Sequence, residues 1–126
     1  MSTDSDDYEA MPERILSLDD SIRFCAVTNK LGYISASKYR SGLSPLMNVE
    51  ETEKHALSAT IRHSTRKEWE SKIGKVLFTI TRYERLIRVT VPLPDSHLVL
   101  LSVDRETRNV DGLIQEKVIP GIDFSY

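Results

Sequence analysis

Two arginines one helical turn apart, Arg62 and Arg66, stand in the run Ile61-Arg62-His63-Ser64-Thr65-Arg66-Lys67-Glu68-Trp69. Arginines at that spacing can grip a phosphate or carboxylate through forked, charge-assisted hydrogen bonds. Lys72 and Lys75 would extend the cationic surface, and Arg40 would join it if the loops fold back. A plainer explanation is a solvated helix face whose arginines pair with Glu51, Glu68 or Glu70, pairs that contribute little. A third is an interface: Ser58 and Thr65 admit a close second helix, Trp69 is flat, and interfaces favour arginine.

Other reactive residue types are sparse. His55 and His63 are about 12 Å apart along a helix axis, too far to share a metal ion. Glu51 and His55, one turn apart, supply two ligands at most, and His97 reads as an exposed residue beside a turn. Cys25, the single cysteine, lies on an apolar β-type run and reads as a buried, inert thiol. No glycine-rich phosphate loop, serine-centred elbow or loop-borne carboxylate pair is present, so no catalytic residue, cofactor or metal is assigned. Tyr33, Tyr39, Tyr83 and Arg88 could line a pocket on the sheet, or simply pack at its edges.

Totals narrow the classes further. A chain of 126 residues fits one domain with a core of useful size. Its net charge of −2 argues against a general nucleic-acid binder. One cysteine excludes an intramolecular disulfide and fits a reducing, cytoplasmic setting. The longest apolar run falls well short of the roughly 20 residues that cross a bilayer.

The elements that must position these residues follow from periodicity. Residues 1–10 read as an acidic, disordered tail, 11–119 as one domain and 120–126 as a second tail. A short amphipathic helix, Tyr8 to Leu18, carries Met11, Ile15 and Leu18, with Pro12 in its first turn. Residues 21–28 form a strand with Ile22, Phe24 and Ala26 on one face and Cys25 and Val27 on the other, an inner strand covered twice. A turn at Gly32 leads to a polar edge strand, Tyr33 to Tyr39.

The long helix is capped by Asn48 with Glu51 three residues on, the capping-box spacing. Its wheel puts Val49, Ala56, Leu57, Thr60 and Ser64 on the buried side, with Ile61 at the margin, and Gly74 ends it. Three strands follow: Lys75 to Tyr83, Leu86 to Pro92, and His97 to Val103. The last is apolar on both faces and therefore belongs beside the first strand. A final helix, about Asn109 to Ile119, buries Val110, Leu113, Ile114 and Val118, and Pro120-Gly121 stops it.

Helix, hairpin, helix, three-stranded meander, helix resembles the roadblock/LC7 domain, of the profilin-like superfold. The implied fold is α/β (α+β), with a central antiparallel five-stranded sheet and helices on both faces. Ser21-Ile22-Arg23-Phe24, Tyr39-Arg40-Ser41-Gly42-Leu43-Ser44-Pro45-Leu46, Ile61-Arg62-His63-Ser64-Thr65-Arg66, and Lys72-Ile73-Gly74-Lys75 with Tyr83-Glu84-Arg85 are also similar to small proteins of ammonia-oxidising archaea. That likeness spans about Ile15 to Ile119 and implies fold and source, carrying over no activity. The roadblock resemblance implies a homodimer built by the long helix and the first meander strand. Its interface would comprise Ser58, Arg62, Thr65, Arg66, Trp69, Val76, Phe78 and Ile80.

The resulting expectation is a non-enzymatic, cytoplasmic interaction module with an unknown protein partner, of small-GTPase or signalling type by fold analogy. The rival is a PAS/GAF-like sensor holding a small anion at Arg62, Arg66, Lys72 and Lys75. A weaker one binds nucleic acid through Arg62, Arg66, Lys67, Lys72 and Lys75.

Overall fold

A computed structural model describes residues 4–122, with nothing assigned to 1–3 or 123–126, where the ends of both expected tails lie. The chain runs through α1 (Asp4–Leu16), β1 (Ile22–Thr28), β2 (Ile34–Tyr39), α2 (Val49–Arg66), α3 (Glu70–Ile73), β3 (Thr79–Arg82), β4 (Leu86–Pro92), β5 (Leu98–Asp104), α4 (Val110–Leu113) and α5 (Ile119–Gly121). A 3-10 turn, Lys67–Trp69, joins α2 to α3, and a π turn, Ile114–Val118, joins α4 to α5. The sheet order is β2-β1-β5-β4-β3, antiparallel at every pairing.

The two doubly apolar strands, β1 and β5, pair in the middle of the sheet, as their composition requires. One face of the sheet carries the larger core. There Met11 and Ile15 of α1, Cys25 and Val27 of β1, Ile87, Val89 and Val91 of β4, and Val99, Leu101 and Val103 of β5 pack with Val110, Leu113, Ile114 and Val118. On the other face α2 lays Ala56 and Ala59 against Phe24, Ala26, Leu98 and Leu100. Such small helix residues let the α2 backbone come close to the sheet.

Several expectations are corrected. Helix α1 starts at Asp4, not Tyr8, so acidic residues assigned to a loose tail form its first turns, and Pro12 sits inside it. Ile22 does not share a face with Phe24. The register slips between them, from Ile22↔Val103 to Phe24↔Ser102, and this bulge at Arg23 sends Ile22 into the larger core. Strand β3 is four residues, Thr79–Arg82, shorter than the expected Lys75 to Tyr83. His97 is half-buried: its Nδ1 lies 2.9 Å from the Thr28 carbonyl and its ring 4.8 Å from that of Tyr8.

The capping box forms as the spacing demands. Asn48 Oδ1 accepts from the Glu51 amide at 2.8 Å, and Glu51 Oε1 accepts from the Asn48 amide at 2.9 Å. At the other end Gly74 adopts φ +88 and stops the helical path. Asn109 caps α4 by accepting from the Gly112 amide at 3.0 Å. Among the described residues no helix is long and apolar enough to cross a membrane.

Candidate functional site

Helix α2 is turned differently about its axis from the expected wheel. Its buried positions are Thr52, Ala56 and Ala59. Val49 is 77% exposed and Ile61 63%, while Leu57 and Ser64 also face outward. Leu57 and Thr60 instead lean on the β1–β2 turn at Gly32. This rotation turns His55, Arg62 and Arg66 toward the rim of the sheet, where His55 is half-buried and both arginines stay exposed.

There they line a narrow groove with Ala59 of α2, Thr79 and Thr81 of β3, Tyr83, and Arg88, Val89 and Thr90 of β4, with Leu100 beyond. Strand alternation explains the lining. Ile87, Val89 and Val91 point into the larger core, so Arg88 and Thr90 emerge on the α2 face. The β3–β4 register pairs Thr79 with Thr90 and Thr81 with Arg88, which puts the three threonines and Arg88 on one face of the hairpin. The ring of His55 meets that of Tyr83 edge-on, with centroids 6.2 Å apart.

The groove is electropositive. Among the described residues Arg62, Arg66 and Arg88 have no carboxylate partner; the ion pairs there are Lys38–Glu13, Arg105–Glu106 and Lys117–Asp19. Burial, with Arg88 and then Arg62 nearby, holds the His55 pKa below its usual range. Burial also lowers the pKa of Arg88.

The other anticipated residues are scattered. Lys72 is exposed on α3, and Lys75 lines a separate apolar groove with Val76, Leu77, Phe78, Leu93 and Ile119. Arg40 is engaged elsewhere, its guanidinium donating to the carbonyls of Leu16, Asp19 and Ile22. Phe78 and Ile80 pack against the larger core, while Ser58, Thr65 and Trp69 are exposed. Of the four residues read as a pocket on the sheet, Tyr83 and Arg88 meet in the α2 groove. Tyr39 and Arg88 also border the loop at Leu43 to Met47, and Tyr33 lies exposed. Cys25 is fully buried, and burial pushes its thiol pKa far up, out of nucleophilic range. Among the described residues no group of three or more His, Cys, Asp or Glu could hold a metal ion.

Element order, the five-stranded sheet and helices on both faces define a roadblock/LC7-type α/β fold. No protein-family model matches the sequence, and no curated protein matches it either. Solved structures do. Gliding protein MglB from Thermus thermophilus superposes with a TM-score of 0.75 at 12% identity, over 98% of this chain and 89% of that one. A roadblock/LC7 domain from Streptomyces avermitilis gives 0.68 at 9% identity, over 90% of each chain. An MglB with tetrameric arrangement gives 0.64 at 12%, over 82% of this chain and 75% of that one. At these identities the likeness is one of fold.

Proposed function

We propose that this chain is a non-enzymatic regulatory module of the cytoplasm that acts as a homodimer and presents its surface to a protein partner. The observation that carries this reading is the outer side of β3. Among the described residues β3 pairs only with β4, which leaves one row of backbone donors and acceptors free at the sheet edge. Edges of this kind are hazards unless they are paired or covered. Large apolar side chains are exposed in the segment that leads into it: Trp69 is 56% exposed, Ile73 84% and Leu77, two residues before the strand, 72%. Pairing β3 with its symmetry mate would continue the sheet across two chains and satisfy that free row, with Leu77 beside it.

The MglB with tetrameric arrangement supports the reading by analogy, as a protein of this fold that self-associates. A partner of small-GTPase or signalling type rests on fold analogy. Light scattering at micromolar concentration tests the dimer: the expected mass is twice the 14.4 kDa of one chain. Leu77→Lys should shift the protein toward monomer without loss of its circular dichroism. A wild-type chain that scatters as a monomer overturns the reading.

A further inference from the structure

Arg88 is a half-buried charge with no carboxylate partner among the described residues. It carries five N–H donors, and its one hydrogen bond among the described residues runs 3.6 Å to Met47 Sδ. A thioether is a weak acceptor and brings no countercharge. Taking a cation partly out of water with no anion beside it is unfavourable. Arg62 and Arg66 add two more guanidinium groups across the groove, and no aspartate or glutamate lines it.

The donors come from three elements. Arg62, Arg66 and His55 line it from α2, Thr79 and Thr81 from β3, and Arg88 and Thr90 from β4, with Tyr83 beside them. A carboxylate presents two oxygens in one plane and is served by a single arginine fork. Donors converging from a helix and two strands suit a tetrahedral group with three or four oxygens. The enclosed part is small, about 20 Å³, the room of roughly one water, so an oxyanion would sit at the open mouth of the groove between the arginines. Arg62 and Arg66, both exposed on α2, can swing to close over it.

We propose that the groove between α2 and the β3–β4 hairpin binds a phosphate-type oxyanion. Arg88 holds it from the sheet and Arg62 and Arg66 from the helix, while the threonine hydroxyls complete its hydrogen bonds. This site stands independently of the dimer.

A phosphate titration followed by NMR at constant ionic strength, with chloride replaced by inorganic phosphate, reads the site directly. Saturable shifts are expected at the His55 ring, the Arg88 Nε–H and the Thr81 and Thr90 amides. Bound phosphate should also raise the His55 pKa, because a negative charge offsets Arg88 and Arg62. Arg88→Met should weaken binding about ten-fold or more. Should that variant fail to fold, Arg66→Gln, at an exposed position, reads the same weakening. Phenyl phosphate distinguishes the source. Binding at least as tight as inorganic phosphate marks a site for the phosphate end of a larger molecule, and weaker binding marks a site for the free ion. Non-saturating shifts, equal shifts with acetate, or unchanged affinity in both variants would overturn the proposal.

Discussion

Lys117 Nζ stands 2.8 Å from Asp19 Oδ2 and joins the C-terminal helical run to the turn between α1 and β1, parts of the chain 98 positions apart. Asp19 also accepts from the Ser21 amide at 2.9 Å and the Ser21 hydroxyl at 2.7 Å. The Lys117 bond, then those from Ser21, lower the Asp19 pKa from 3.8 to about 2. A carboxyl whose pKa is lower in the folded state contributes its full stabilisation above the unfolded value and loses it as pH falls. The loss should therefore run from about pH 4 down to pH 2. Solvent screening limits it to on the order of 1 kcal/mol. Asp19→Asn should lower stability at neutral pH by that amount and flatten the acid limb of a urea-unfolding series.

Gly32 holds the β1–β2 turn under α2. Its φ is +91, and a Cβ there would come within 3.0 Å of Leu57 Cδ2 and Thr60 Oγ1. Gly32→Ala should cost about 1–3 kcal/mol, from left-handed strain together with crowding against the helix. Gly42, at φ +84 with open space around it, supplies the comparison. Gly42→Ala should show the backbone cost alone, so the difference between the two in urea unfolding isolates the helix contact.

Arg40 fastens the end of α1 to β1. Its Nε donates to the Ile22 carbonyl at 2.8 Å, and Nη2 donates to the carbonyls of Asp19 and Leu16. Charged hydrogen bonds to backbone carbonyls, once removed, typically cost about 1.5–3 kcal/mol in total stability. Arg40→Ala should fall in that range by denaturant unfolding. Arg40→Lys should recover only part of it, because an ammonium lacks the planar fork that reaches separate carbonyls.

The turn between β4 and β5 contains two consecutive left-handed residues that are not glycine, Asp95 at φ 61 and Ser96 at φ 65. Each carries a steric cost of about 1 kcal/mol that glycine avoids. Ser96→Gly should raise the melting temperature. The exposed bond that it removes, from Lys67 Nζ to Ser96 Oγ at 3.0 Å, is worth little. An unchanged or lowered midpoint would mean that the hydroxyl matters more than the backbone.

Much of the architecture was legible because single residues announced it. The Asn48–Glu51 pair marks a helix start through its own hydrogen bonds, and the run at Leu98 to Leu101 admits only a strand covered on both faces. The rotation of α2 was not legible. Ala56 is buried as its position on the wheel requires. Val49, Leu57 and Ile61, however, are larger than Thr52 and Ala59, so hydropathy pulls the rest of the arc toward them, whereas close packing selects the small side. The small side brings the exposed Arg62 and Arg66 beside the sheet, on the rim of the groove. Sequence alone marks Arg88 as a pocket candidate without linking it to Arg62 and Arg66, since their meeting depends on how α2 is turned over β4. The one usable signal was an arginine at the centre of a strand that otherwise alternates cleanly.

Phe78 and Ile80 turn their side chains into the core beneath β3, so the strand's outward rim is left with main-chain amides and carbonyls. A contact made there is read first as a spacing between peptide groups, with neighbours such as Leu77 adding apolar area. Recognition of this kind tolerates drift in the surrounding surface. Two chains could then diverge far in sequence and still keep compatible edges.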